Sequence, residues 1–127
     1  MKYNEMTDLL EDVIIPTIRS TRTDGQKEYA RTSDDVLANF KRIGEAIELS
    51  HDKVIAVYLL KHLDGVMAYI DGHTSQREDV RGRLTDAITY LCILWASVED
   101  NNQSQTKEVP NENNSHKQRK LGATLPN

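Results

Sequence analysis

Three aspartates, two basic side chains, a histidine and two tyrosines fall at spacings that would gather them if the chain is helical. Lys61 and Asp64 stand three residues apart, with His62 between them and Tyr58 one turn before Lys61. Further on, Asp79, Arg83, Asp86 and Tyr90 recur at steps of four, three and four, which is one stripe of a helix. A polar stripe on a helix that the core also needs must meet partners or water. If the two helices pack antiparallel, Lys61 and Asp64 face Asp86 and Arg83. Two chemistries suit that arrangement. The first is a network of pairs such as Lys61–Asp86 and Arg83–Asp64 that fixes helix register, within the chain or across a dimer. In the second, Asp64, Asp79 and Asp86 gather a magnesium ion, since hard cations want carboxylate oxygens. Lys61, Arg83 and His62 then receive a phosphate. A third option leaves both stripes simply solvated.

Other chemistries find less support. No two of the four histidines, His51, His62, His73 and His116, have the helical spacing of a zinc pair. No serine sits in a glycine-flanked elbow, and Cys92 has no histidine near it in sequence, so nucleophilic catalysis lacks its parts. A lone cysteine also excludes an internal disulfide and a CxxC pair, and its apolar surroundings read as a small buried hydrophobe. The net charge of −4 argues against generic nucleic-acid binding, because the only basic run, Lys117, Arg119 and Lys120, is short. The apolar run Val54 to Leu60 is far below the roughly 20 residues that cross a bilayer. The start, Met1 to Asp12, carries acids where a leader needs bases. The expectation is a cytoplasmic protein without a membrane partner.

The elements that would position these residues are helices. Residues 1–32 read as an N-terminal segment and loop. A short helix or strand through Leu9, Leu10, Val13, Ile14 and Ile18 is bent or ended by Pro16, and a loop around Asp24-Gly25 covers residues 20–31. Residues 33–100 read as the helical domain. Ser33 is positioned as an N-cap, and Val36, Leu37, Phe40, Ile43 and Ile47 form one amphipathic face ending near Leu49. Ser50 caps the next helix, apolar almost all round from Val54 to Ile70 and stopped by Asp71-Gly72, which implies a central place or a subunit interface. Ser75-Gln76-Arg77-Glu78 is a capping box opening a last helix through Val80, Leu84, Ile88, Leu91, Trp95 and Val98 to about Asp100. Residues 101–127, rich in Asn, Gln, Ser and Lys, have too little to bury and read as a disordered tail. The fold class is therefore all-α: a small bundle of three main helices plus an N-terminal segment. About 100 usable residues make oligomerisation a natural way to complete its burial.

The order Tyr29 … Asn39-Phe40-Lys41-Arg42-Ile43 … Asp52-Lys53-Val54 … Leu60-Lys61-His62-Leu63-Asp64 … Asp79 … Asp86-Ala87-Ile88-Thr89-Tyr90-Leu91 resembles small phage-encoded proteins related to the MazG-like all-α nucleotide pyrophosphohydrolases. It also resembles the helical domain called nucleotide modification associated domain 1. The resemblance covers about residues 26–98 through short motifs. It implies a dimeric or tetrameric bundle in a host cytoplasm, with acidic Glu-Glu-x-x-Glu and Glu-x-x-Asp motifs holding magnesium against a nucleoside triphosphate. Asp86 matches the closing Asp of the second motif, in Arg83-Leu84-Thr85-Asp86, but Arg83 replaces its glutamate. The region of the first motif reads Lys61-His62-Leu63-Asp64, one carboxylate where three belong. A guanidinium beside a cation repels it, so the resemblance speaks for the fold and a dimeric or tetrameric bundle more than for hydrolysis, and leaves open a pocket that binds a nucleotide without cleaving it.

Two functions follow as expectations. One is a site that binds or weakly hydrolyses a nucleotide: Lys61, Arg83 and His62 on the phosphates, Asp64, Asp79 and Asp86 on magnesium, Tyr58 and Tyr90 against the base. The other is a non-enzymatic partner that binds a host protein and alters its activity, and a structural oligomer with no ligand stands as a further alternative.

Overall fold

A computed structural model of the chain describes residues 1–74 and 76–108, and these are helical with no strand among them. No helix of the described residues is long and apolar enough to cross a membrane.

The N-terminal segment is helical throughout. α1 (Tyr3–Leu9), a π-helical turn (Leu10–Ile14) and α2 (Ile15–Tyr29) follow one another without a break, and the junctions at Leu10 and Ile15 keep right-handed helical angles. Pro16 therefore neither ends nor breaks the helix. Its ring would clash with the carbonyl of Asp12 and it offers no N–H. Widening the preceding turn to π geometry accommodates both defects, and Pro16 then enters α2 in its first turn, where no donor is missed. The loop expected over residues 20–31 is likewise helix as far as Tyr29. Ile14, Ile18, Thr21 and Gly25 continue one half-buried face through it, overriding the turn signal of Asp24-Gly25.

α3 (Ala38–Ile47) starts later than Ser33 suggests. Asp35 makes the turn: its Oδ1 accepts the Leu37 N–H at 2.9 Å and its Oδ2 accepts from Lys41 Nζ at 2.7 Å. That ammonium hydrogen bond holds the Asp35 carboxyl below its usual range. α3 ends at Glu48 in the left-handed region (φ 58°), with the Leu49 N–H donating to the Gly44 carbonyl at 3.0 Å.

α4 (His51–Ile70) is capped by Ser50, whose hydroxyl accepts the Lys53 N–H at 3.3 Å, and it stops at Gly72 with φ +81°. α5 (Val80–Glu108) begins one turn after the expected box. Asp79 supplies the cap, its Oδ1 accepting the Arg81 N–H at 2.8 Å, and Ser75 lies outside the described residues. α5 also runs past Asp100 to Glu108, with 101–107 exposed, so the expected tail begins as helix. Its remainder, 109–127, lies outside the described residues.

The core is small. Leu37 and Phe40 meet Val54 and Ile55, with Ile43, Tyr58, Tyr90, Ile93 and Leu94 packed around them. α4 and α5 make the main pairing, α3 lies on α4, and α2 lies on α5. Two glycines test this account. In α2, a Cβ on Gly25 meets only Tyr29, at 3.9 Å, whereas on Gly44 it would run into the Leu49 carbonyl oxygen. Chemical denaturation should show Gly25→Ala stabilising the protein by about 0.5–1 kcal/mol through helix propensity. Gly44→Ala should destabilise it by roughly 1–3 kcal/mol through overpacking against backbone.

A candidate ligand cleft between the helices

α4 and α5 run antiparallel in strict register. His51 meets Ser97 (Nε2 to Oγ, 3.0 Å), Tyr58 stacks on Tyr90 (centroids 5.7 Å apart), His62 meets Asp86 (Nδ1 to Oδ2, 3.5 Å), and Arg83 lies against Gly65. Steps of seven, four and three along α4 are answered by the same steps back along α5, the spacing of a coiled-coil-like seam. Gly65 belongs to it because a Cβ there would strike the Arg83 side chain.

The predicted antiparallel pairing is present, but one residue away from the predicted register. Asp86 faces His62 where Lys61 was expected, and Arg83 faces Gly65 where Asp64 was expected. One residue is a 100° rotation on a helix, so Lys61 and Asp64 turn to the exposed surface. Among the described residues neither Lys61–Asp86 nor Arg83–Asp64 forms an ion pair.

The middle of the seam is aromatic. Tyr90 is in parallel contact with Tyr58 (interplanar 12°) and with His62 (centroids 5.4 Å, interplanar 20°), while Phe40 presents edges to both tyrosines at 6.1 Å. Edge and offset contacts of this kind add about 0.5–1.5 kcal/mol each beyond burial. Beside them opens a cleft of about 880 Å³, walled by α2, α3, α4 and α5. Tyr58, Lys61, His62, Asp86 and Tyr90 line it, together with Arg22, Tyr29, Asn39 and Arg42. Arg42 is positioned by a 2.9 Å bond from Nη2 to the Tyr29 carbonyl, tying α3 to the end of α2. His62 is buried, and its Nδ1 has no hydrogen-bond partner among the described residues, since Asp86 stands at 3.5 Å without hydrogen-bond geometry. Burial, with the Asp86 carboxylate second, raises the Tyr90 hydroxyl to about 12.

Five of the eight candidate residues are thus brought together and three are not. Asp79 caps α5 and bonds Arg81 (Nη1 to Oδ2, 3.0 Å), Asp64 is exposed, and Arg83 lies over Gly65 with its Nε buried and unpartnered among the described residues. No group of three His, Cys, Asp or Glu side chains among the described residues converges as metal ligands, so the residues present do not fit a protein-held magnesium centre. Cys92 is exposed at the cleft rather than buried, because α4 and α2 cover other sides of α5. Sequence reasoning missed Asn39, Arg42 and the whole α2 wall. The signal for α2 was the half-buried spacing of Ile14, Ile18, Thr21 and Gly25.

A second cluster resembles a nucleophilic triad only in composition. Ser97 and Asp52 both approach His51 Nε2, at 3.0 and 3.3 Å, and Ser97 also donates to Asp52. A triad needs serine and carboxylate on opposite ring nitrogens, and Ser97 is 1% exposed. This group clips the start of α4 to α5.

No family model matches the chain, and no curated protein or solved structure matches it either.

The Tyr90 environment has a measurable consequence. A phenol favoured in its neutral form stabilises the fold fully below about pH 10, where unfolded tyrosine begins to ionise. That contribution is lost as pH rises towards 12. Ultraviolet titration should show a tyrosine ionising near 12 that Tyr90→Phe removes, and the variant's stability should fall less between pH 10 and 12.

Proposed function

We propose that this chain is a nucleotide-binding protein whose site is the cleft beside the Tyr58–Tyr90–His62 stack. The observation that carries the reading is the buried His62, its Nδ1 unpartnered among the described residues beside Asp86, in a cleft that also holds Arg22, Arg42 and Lys61. A volume of about 880 Å³ lies in the range of small-molecule sites, roughly 300–1,000 Å³. Aromatic walls with a few cations suit a planar base carrying phosphate.

In this reading Lys61, Arg42 and Arg22 attract the phosphates. Asp86 on the Nδ1 side of His62 leaves Nε2 for the ligand. Tyr58 presents an aromatic wall to the base, while Tyr90, engaged by Tyr58, His62 and Phe40, holds that wall in place. Any magnesium arrives on the phosphates themselves, with Asp86 as its one protein carboxylate. Binding without turnover is therefore the proposed activity. An oligomer in a host cytoplasm is part of the proposal, and a host protein as ligand is the second reading, favoured by the apolar side chains left exposed on α4.

A nucleotide panel should raise the melting temperature, and the rise should persist when magnesium is chelated. Lys61→Ala, an exposed position, should keep the fold and weaken binding roughly tenfold, as loss of one charge-assisted contact does. No shift with any nucleotide overturns the proposal, and so does a shift that Lys61→Ala and His62→Ala both leave intact.

A further inference from the structure

Helix α5 carries a second apolar stripe that no other described residue covers. Leu84, Ile88, Leu91, Trp95 and Val98 recur at steps of four, three, four and three, and all five are exposed, Trp95 at 71%. That is the spacing of a coiled-coil seam, lying on the other side of α5 from the seam residues Arg83, Asp86, Tyr90 and Ser97. It spans roughly 21 Å of helix at 1.5 Å per residue. Leu60, Met67 and Ile70 of α4 are exposed as well, while among the described residues the buried hydrophobics are Ala30, Leu37, Phe40, Val54, Ile55 and Ala87.

We infer that a second copy of this chain seats on this face of α5, antiparallel, about a two-fold axis between residues 89 and 90. The charges at the two ends of the stripe select this occupant and this direction. One end carries Arg81, which is exposed and, among the described residues, pairs through its side chain only with its neighbour Asp79 at 3.0 Å. The other carries Glu99 and Asp100, both exposed, with Glu99 Oε1 accepting from Trp95 Nε1 at 3.2 Å. Two α5 helices laid antiparallel set Leu84 against Trp95 and Ile88 against Leu91 in both directions, as a two-fold contact requires. The same register brings Arg81 of each copy to the Val98–Glu99 turn of the other. A parallel pairing would instead set Arg81 beside Arg81 and Glu99 beside Glu99, which is repulsive at both ends. The pairing is independent of what occupies the cleft, because its five apolar residues are not among those lining it.

Trp95 is the only tryptophan in the chain, so its emission reports this contact directly. Sedimentation of the full chain should give twice the 14.5 kDa chain mass, with tryptophan emission moving to longer wavelength on dilution. Leu91→Glu should raise the dimer dissociation constant by on the order of a hundredfold, as a charge placed in an interface centre does. Circular dichroism should be unchanged, since Leu91 is exposed in the single chain. Arg81→Glu and Glu99→Arg should each weaken the dimer roughly tenfold, and the double reversal should restore it. If Leu91→Glu proves unfolded, the charge reversals decide alone. A wild-type monomer at high micromolar concentration overturns the inference. So does a dimer indifferent to these substitutions, or a double reversal that weakens association further.

Discussion

The equal-step pairing of α4 with α5 is the contact on which the remaining structure depends. Its layers run from the His51–Ser97 clip, past the apolar packing around Ile55, to the Tyr58–Tyr90 stack, the His62–Asp86 approach and the Gly65–Arg83 crossing. Each layer fixes the next, because a helix admits no sliding by a fraction of a turn once side chains interlock. Ser97 sets one end through its hydroxyl, while Gly65 sets the other by what it lacks.

From that register the cleft follows. With Tyr90 held between Tyr58 and His62, and Phe40 edge-on to both tyrosines, the rings of α3, α4 and α5 form one wall. α2, laid along α5, forms the opposite wall, and Arg42 bonded to the Tyr29 carbonyl joins the two. A shift of one residue would bring Lys61 and Asp64 into the seam, and the same residues would make a salt-bridge network with no aromatic wall. What separates a cleft from a closed network here is a rotation of 100°.

Much of the fold is legible in the sequence, and the failures are physical. The Ser50 cap, the Gly72 stop and the amphipathic face from Leu37 to Ile43 are local signals, and the structure keeps them. Pro16 and Asp24-Gly25 are also local signals, yet the N-terminal helix passes through both, because a π turn accommodates Pro16 and the half-buried face of Ile18, Thr21 and Gly25 runs on through Asp24-Gly25. Tyr58, Lys61, His62, Asp86 and Tyr90 were found because helical period groups them along each helix. Asp64, Asp79 and Arg83 were grouped by the same rule and separate in space, since period fixes which residues share a stripe but not how two helices register. Register depends on shape, here Gly65 under Arg83, and that is invisible until the two helices are brought together. The carboxylates of Asp64 and Asp79 do not reach the cleft.

The direct test of this account is a set of nuclear Overhauser contacts between ring protons of α4 and α5 in solution. The pairing described here requires contacts from Tyr58 to Tyr90 and from His62 to Tyr90. Contacts from Tyr90 to Val57 in place of those to Tyr58 would mean that the helices engage one residue out of register and that the aromatic wall does not exist.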